Sequence, residues 1–409
     1  MFWKKIFGNI HKLETKDIDI LVLGNRGSGK TSLLATTLYN MNGLLQSNGI
    51  SFEAADEETG KRLENSISEI ENMFTSKGIV EVGEGIAGTD GFIDYNFRLT
   101  FTDDAWDTTS GFRITFHDYA GSILANGEKD KQYEVLKNFF LKSQIVYILI
   151  DTPYLMETTR KTILEYSAKD EILALFQKAG TDSDDKMIAI VPTKCEYYLR
   201  SDRIADVSDH IRTEFKEILS YIGQLNREEN REKYRLYITP VQTVGGLEFS
   251  KMENREGRQI ASFRRTKPNS QFKPVNTDLL LLFCLNYLFD YFFKQLTDEF
   301  TPRNRTAVMT YLSEMDEEKA LSSYSEKYDY YASRKSAGDK DKIEKEQKEI
   351  FKDTLHAFFL EYGKRETKMN AICKKYEDVL SCYIIYSSEK KLEENFGKQF
   401  RRQFTQIYV

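Results

Sequence analysis

The stretch from residue 17 to residue 37 constrains the fold of this chain more than any other part of the sequence. Residues 18–23, IDILVL, are mostly apolar and rich in β-branched side chains, which indicates a buried strand. Residues 24–31 follow with the letters GNRGSGKT, and residues 32–38 continue as a helix. A strand, a loop of the pattern G-x-x-x-x-G-K-T and a helix in this order predict a phosphate-binding loop, or P-loop.

Each residue type in this loop suits the binding of a nucleoside phosphate. Its glycines let a phosphate chain approach the backbone N–H groups, and the helix N-terminus adds partial positive charge. Lys30 can bridge phosphate oxygens, and Thr31 can ligate Mg²⁺. A chance glycine turn before a helix is the alternative. The predicted nucleotide-binding residues of the loop are Gly24, Asn25, Arg26, Gly27, Ser28, Gly29, Lys30, Thr31 and Ser32.

Length, charge and cysteine content limit the class of protein. With 409 residues the chain is long enough for two domains. A net charge of −6 gives no reason to expect nucleic-acid binding. Four cysteines without paired metal-type spacing are expected to be free thiols in a reducing compartment.

Two segments decide whether the sequence predicts a secretory signal or a membrane-spanning helix. Residues 1–12 lack an apolar stretch of the length that a secretory signal needs. Residues 279–293 are strongly apolar, but they are too few to span a bilayer and include Asn286 and Asp290, so we expect a buried core helix there. The sequence therefore predicts a cytoplasmic protein with no transmembrane segment.

The order of predicted elements indicates an α/β fold. After an N-terminal extension (1–16), strands alternate with helices over residues 17–298, which predicts a mostly parallel sheet with helices on both faces. Residues 41–91 interrupt this pattern, and residues 92–101 and 112–118 are predicted to pair as a hairpin, which adds one antiparallel strand. Residues 241–274 are predicted to form a polar loop. From 299 to 409 only helical patterns occur, which predicts an all-α domain.

The motif D-x-x-G stands at the end of the second hairpin strand, as Asp118-Tyr119-Ala120-Gly121. An aspartate there can hold Mg²⁺ through water, and the glycine can present its N–H to a γ-phosphate. The alternative is a strand-terminal aspartate that begins an ordinary turn.

A second motif, Thr193-Lys194-Cys195-Glu196, follows the strand-like run MIAIVP. It is close to [N/T]-K-x-D, in which the acid pairs with the N1 and N2 donors of guanine and the lysine stem lies along the base. Glutamate is one methylene longer than aspartate, so the chain departs here from the pattern that binds guanine, and a loop of exposed charges is the alternative. Val241 follows the next strand, where a loop can support the base through its backbone.

These motifs in this order resemble the P-loop GTPases of the translation-factor and Ras-like class, over roughly residues 17–296. The run TPVQTVGGLEF, the long insertion and the helical tail also resemble bacterial double-GTPase-type proteins of conflict and defence gene clusters. The class resemblance implies that Thr89 is the switch-I residue, which ligates Mg²⁺ together with Thr31 and Asp118 and senses the γ-phosphate. A plain turn threonine is the alternative.

One residue that is typical of this class is missing after the D-x-x-G motif. Many members place a glutamine after D-x-x-G to orient the attacking water, but this chain has Ser122. Hydrolysis is then slow, or another group or a partner completes the site. Arg26 is a candidate charge donor to the transferring phosphoryl group, and an arginine in solvent or in a salt bridge is the alternative.

The sequence thus predicts a Mg²⁺-dependent GTPase that converts GTP to GDP and phosphate and works as a nucleotide-controlled switch or assembly module. Its predicted catalytic residues are Lys30, Thr89, Gly121 and Arg26. A protein partner or self-assembly through the helical domain is expected. A GTP-binding interaction protein with little hydrolysis and an ATP-using P-loop enzyme are the alternatives.

Overall fold

The computed structural model describes residues 17–46, 50–74, 80–81, 91–101, 112–180, 182–228, 233–255, 258–267, 269–277, 280–281, 284, 287 and 405–407. The chain divides into two compact units. The first comprises Met1–Cys284, Val379–Ser387 and Phe404–Val409, and the second comprises Leu285–Asp378 and Ser388–Gln403. Every strand and helix named below belongs to the first unit.

An eight-stranded sheet forms the centre of this unit. Across the sheet the strands follow the order β11 (Thr405–Ile407), β8 (Tyr234–Ile238), β7 (Lys186–Thr193), β6 (Ile145–Asp151), β1 (Ile18–Leu23), β5 (Phe112–Tyr119), β4 (Phe92–Phe101) and β2 (Ile50–Ala54). Strands β5, β1, β6, β7 and β8 are mutually parallel, whereas β4 runs antiparallel to β5. This arrangement confirms the predicted α/β class, with a mostly parallel sheet and an antiparallel hairpin strand.

Helices cover the sheet because its central strands are apolar on both faces. Every residue of β6 is buried, as expected of a parallel strand between two helical layers. The helices are α1 (Lys30–Gln46), α2 (Glu57–Met73), α3 (Gly121–Asn126), α4 (Tyr133–Lys142), α5 (Thr152–Glu157), α6 (Arg160–Ser167), α7 (Lys169–Ala179), α8 (Glu196–Arg200), α9 (Ile204–Glu214) and α10 (Lys216–Glu228).

Among the described residues, a large apolar cluster lies on one face of the sheet. There Leu21 and Leu23 of β1 pack with side chains of α4, α7, α9 and α10, among them Phe140 and Phe176. Ile20 and Val22, which alternate with them, are buried outside that cluster. Tyr147 of β6 donates a hydrogen bond to the carbonyl of Leu280 at 2.6 Å. Leu280, Leu281 and Cys284 are helical and buried, in agreement with the core helix predicted over this segment.

A second, three-stranded sheet corrects one prediction. Residues 241–274, expected to be a polar loop, contain the antiparallel hairpin β9 (Leu247–Arg255) and β10 (Arg258–Arg265), and β3 (Val80–Glu81) pairs with β10. The buried apolar residues of the hairpin are Leu247, Phe249, Ala261 and Phe263, and the partly buried Met252 packs against them. Charged residues lie between these two short runs of alternating apolar residues. The sequence therefore gives only a weak indication of two strands.

The insertion after α1 is also more regular than the sequence suggested. Strand β2 extends the sheet, and α2 begins at Glu57, where the carboxylate of Asp56 accepts a hydrogen bond from the N–H of Thr59 at 2.7 Å. Helix α2 is amphipathic, with Thr59, Leu63, Ser66 and Ile70 buried on one face.

Part of the predicted organisation lies outside the described residues. This holds for the extension 1–16, for Thr89 and for the region 299–409 apart from β11, which pairs antiparallel with β8. The predicted domain boundaries therefore stay predictions. Within the part of the chain that is described, no helix has the length and apolar character to cross a lipid bilayer.

Candidate functional site

Strand β1 and helix α1 hold the glycine-rich loop between them. Gly27 and Gly29 adopt φ angles of +80° and +90°, which strongly favour glycine. Apart from the glycine itself and its two neighbours in the chain, no described residue has an atom within 4 Å of the position that a Cβ would take at either residue. The loop is therefore open on that side, as a phosphate-binding loop must be.

Lys30 reaches back over the loop that precedes it. Its Nζ donates hydrogen bonds to the carbonyl oxygens of Gly24 at 2.9 Å and Asn25 at 3.3 Å, and it lies 5.2 Å from the ring centroid of Tyr119. Burial lowers the pKa of the Lys30 ammonium, and the nearby Asp118 carboxylate opposes this shift. A phosphate oxygen in the loop would give this ammonium a charged partner in place of carbonyl groups.

Two of the three predicted magnesium ligands are in contact. The Oγ1 of Thr31, in the first turn of α1, donates a hydrogen bond to Oδ2 of Asp118, at the end of β5, at 3.1 Å. Asp118 is fully buried, and its Oδ1 accepts from the N–H of Tyr119 at 2.9 Å. Oxygen donors of this kind are those that Mg²⁺ prefers, so the two residues fit the ion.

The D-x-x-G segment packs directly against the phosphate loop. The N–H of Gly24 donates to the hydroxyl of buried Tyr119 at 3.2 Å. A Cβ added at Gly121 would lie 2.3 Å from the backbone N of Arg26, so only glycine fits there. The sequence analysis identified Gly121 but missed Tyr119, although a large aromatic residue inside D-x-x-G was a visible signal.

The side chain of Asn25 is hydrogen-bonded within the protein, whereas that of Arg26 is exposed. Asn25 Oδ1 accepts from the N–H of Arg26 at 2.8 Å, while Nδ2 donates to the carbonyl of Glu165 in α6 at 3.1 Å. Arg26 itself is exposed, as is Ser122. The catalytic role predicted for Arg26 stays a prediction.

The T-K-x-E motif is bonded to the phosphate loop. Thr193 Oγ1 donates to the carbonyl of Ser28 at 2.8 Å, and Lys194 Nζ donates to the carbonyl of Gly27 at 2.8 Å. The Lys194 ammonium also pairs with the carboxylate of Asp151 at the end of β6. Two motifs more than 160 residues apart in sequence thus form one site.

Glu196 is buried, so the alternative of an exposed charged loop does not hold for it. Its Oε1 accepts hydrogen bonds from the N–H groups of Val244 at 3.0 Å and Gly245 at 3.2 Å. Oε2 has no hydrogen-bond partner among the described residues. Burial raises the pKa of Glu196, whereas these N–H groups and the Lys194 charge oppose the rise.

Val241 lies beside the same motif, as its position after β8 suggested. Its N–H donates to the carbonyl of Pro192 at 2.9 Å, and its carbonyl accepts from the N–H of Cys195 at 3.2 Å. Both backbone groups are thus bonded within the protein. The loop after β8 is thereby fixed to the end of β7.

The hairpin β9–β10 adds residues that the sequence analysis missed. The ring of Phe263 lies 5.9 Å from Lys194 Nζ, and the hydroxyl of Tyr154 donates to the carbonyl of Gln259 at 2.6 Å. The buried Glu248 pairs with Arg200 of α8 and with Arg264. The hairpin therefore packs on the T-K-x-E side of the site.

No protein-family model matches this chain, and a comparison with curated proteins gives no match. Among solved structures, one similar chain belongs to the signal recognition particle receptor SRb-GTP/SRX complex of Chaetomium thermophilum, with 16% identity, 56% of this chain and 93% of that chain covered, and a TM-score of 0.31. For a dimerization-deficient mutant of Toc33 from Arabidopsis thaliana the values are 14%, 68%, 86% and 0.29. For the GTPase-like domain of Ski7 from S. cerevisiae, bound to GDP and inorganic phosphate, they are 17%, 58%, 45% and 0.30.

Proposed function

We propose that this protein is a cytoplasmic, Mg²⁺-dependent GTP-binding protein that hydrolyses GTP to GDP and phosphate and acts as a nucleotide-controlled switch or assembly module. One observation carries the proposal. The hydroxyl of Thr31 and the carboxylate of Asp118 meet at 3.1 Å beside an open phosphate loop, and the T-K-x-E motif is bonded to that same loop.

At the phosphate end of the site, different residues of this chain bind the phosphates, supply positive charge and would hold the magnesium ion. The loop N–H groups and Lys30 bind the β- and γ-phosphates, and Gly121 offers its N–H to the γ-phosphate. Arg26 supplies positive charge to the transferring phosphoryl group. When bound, Mg²⁺ neutralises phosphate charge, and Thr31, Thr89 and Asp118 would hold it, the last through water.

At the other end of the site the base is placed by four residues. Thr193 fixes the motif to the loop, the stem of Lys194 lies along the base, Glu196 accepts from it, and the segment around Val241 supports it. Glu196 is buried, which argues against a solvent-facing role.

Loss of the γ-phosphate would release the segments around Thr89 and Gly121, which is how such switches transmit their state. Because Gly121 packs on the backbone of Arg26, movement of the D-x-x-G segment and of the loop would be coupled. A protein partner or a second copy, bound through the C-terminal region, would receive this signal. A role in bacterial defence is part of the same proposal.

Ser122 favours a second candidate, a GTP-binding interaction protein with little turnover. The serine side chain is exposed and too short to take over the reach of a glutamine. Release of phosphate from GTP at steady state, with the protein alone, separates the two functions. Clear unassisted turnover would remove the second candidate.

The proposal predicts that Lys30→Ala abolishes nucleotide binding, because the alanine leaves the phosphates without their charged partner. Displacement of a fluorescent GTP analogue by GTP and by ATP measures this and also ranks the two bases. Lys161→Ala, at a side chain that is 86% exposed, is the matched control and should bind normally. Full binding by Lys30→Ala would contradict the proposal, and a clear preference for ATP would favour the ATP-using alternative.

A further inference from the structure

Glu196 is bonded to the protein through only one of its two carboxylate oxygens. Oε1 receives two N–H groups, from Val244 and Gly245, which use both of its lone pairs. Oε2 is buried and has no hydrogen-bond partner among the described residues. The whole residue is only 4% exposed, so water does not readily solvate the second oxygen.

A buried acceptor without a donor costs free energy, so a donor that reaches Oε2 would be favoured there. A nucleotide bound at the phosphate loop would supply such a donor, because Thr193 and Lys194 of the same motif bond to that loop. As a carboxylate, Glu196 then offers a ligand a single acceptor atom, Oε2, because Oε1 is committed to the protein.

We propose that Glu196 contacts the purine base through Oε2 alone, so that GTP and ITP bind with similar affinity. The inference rests on the proposed function and narrows its substrate class to purine nucleotides that carry an N1–H. Guanine offers two adjacent donors, N1–H and the N2 amino group, whereas the hypoxanthine of ITP offers only N1–H. One oxygen satisfies one of these donors, so the N2 amino group adds little.

The same geometry makes Glu196→Asp a variant with a predicted gain of specificity. Aspartate is one methylene shorter and cannot keep both bonds to Val244 and Gly245 while it reaches the base. Both of its oxygens then become available to N1–H and N2–H₂. A second hydrogen bond to a charged group corresponds to about tenfold or more in affinity, so the preference for GTP over ITP should rise by about that factor.

Competition of GTP, ITP and ATP against a fluorescent GTP analogue tests this with the full chain. Wild type should bind GTP and ITP within about threefold of each other, less than one full hydrogen bond. Glu57→Asp, also at the first position of a helix but with an 81% exposed side chain, is the control and should keep the wild-type ratio. If Glu196→Asp fails to fold, as judged by circular dichroism, the wild-type ratio alone decides.

Two negative results have different meanings. A wild-type preference for GTP over ITP of about tenfold or more would overturn the single-oxygen contact and leave the proposed GTP binding intact. Absence of binding by GTP and ITP alike, or displacement by ATP alone, would overturn both.

Discussion

Residues from distant strands give the phosphate loop its shape. Tyr119 accepts from the N–H of Gly24, Thr193 donates to the carbonyl of Ser28, and Lys194 donates to the carbonyl of Gly27. The loop therefore bonds to β5 and to the segment after β7 as well as to its own helix. Sequence motifs identify which residues belong to such a site, but they do not show these bonds between motifs.

Gly121→Ala is expected to destabilise the fold and weaken nucleotide binding. The added methyl group would meet the backbone of Arg26 at 2.3 Å and of Asn25 at 2.7 Å, and overpacking of this kind costs about 1–3 kcal/mol. Thermal unfolding and nucleotide titration measure the two effects.

Gly60→Ala is the matched control for that variant. This glycine lies in α2, where a Cβ would make ordinary contact with Ala54 at 3.8 Å, so alanine should stabilise the helix by about 0.5–1 kcal/mol. Equal stability of Gly121→Ala and wild type would show that the D-x-x-G segment is not packed on the loop as described.

His117 links three strands of the sheet beside the site. Its Nδ1 lies 2.7 Å from Asp94 of β4 and its Nε2 lies 3.0 Å from Asp19 of β1, while the ring stacks on Phe139. Burial, the largest single influence, lowers the pKa of His117, but the hydrogen bonds and charges of the two carboxylates together raise it above its usual value.

A raised folded-state pKa gives the stability a definite pH dependence. The contribution of His117 is complete below the unfolded pKa, near 6.5, and is lost as pH rises through the higher folded value. Replacement by Phe, which keeps an aromatic ring, should therefore cost more stability at pH 5.5–6 than at pH 9, with each lost hydrogen bond worth about 1 kcal/mol. Urea unfolding at both values measures this, and a pH-independent difference would contradict it.

At the scale of elements, the central sheet was predictable because its strands are continuous apolar runs. The bounds of β1 and β4 agree with the sequence analysis residue for residue. Residues 160–179 form two helices, α6 and α7, which meet at Ala168, where the φ angle is +50°. A left-handed alanine has no sequence signature, so pattern alone could not find this break.

The hairpin β9–β10 shows what the sequence left hidden at this scale. Its apolar face packs against Met73, Phe74, Tyr154 and Tyr197, which come from three other elements or their ends. The partners of Glu196 lie 48 and 49 residues further along the chain. Such long-range contacts depend on the assembled fold and not on local pattern.

Tyr154→Phe is expected to loosen the hairpin from α5. The variant removes the hydrogen bond to the carbonyl of Gln259 but can keep the ring stacked on Tyr166, so the cost should be about 1 kcal/mol in the free energy of unfolding. Chemical denaturation measures it. Tyr221→Phe, whose hydroxyl has no hydrogen-bond partner among the described residues, should leave stability unchanged, and equal stability of both variants would argue against the described packing of the hairpin.

At the scale of the whole molecule, the first unit is assembled from three separate segments of the chain. Its main part ends at Cys284, and Phe404–Val409 contributes β11 to the edge of the sheet next to β8. The sequence analysis placed those last residues in the helical region, because a strand of three residues is too short to give a period-2 pattern. The proposal that the helical C-terminal region binds a partner rests on the family resemblance in the sequence and not on contacts in the structure.

Calorimetric titration of GTP with and without Mg²⁺, on wild type and Asp118→Asn, tests the central claim most directly. Wild type should bind GTP, and Mg²⁺ should tighten that binding by about tenfold or more. Asp118→Asn should stay folded and lose most of the magnesium effect, because the buried carboxylate beside Thr31 is gone. Absence of GTP binding in wild type, or a magnesium effect that Asp118→Asn preserves in full, would contradict the account.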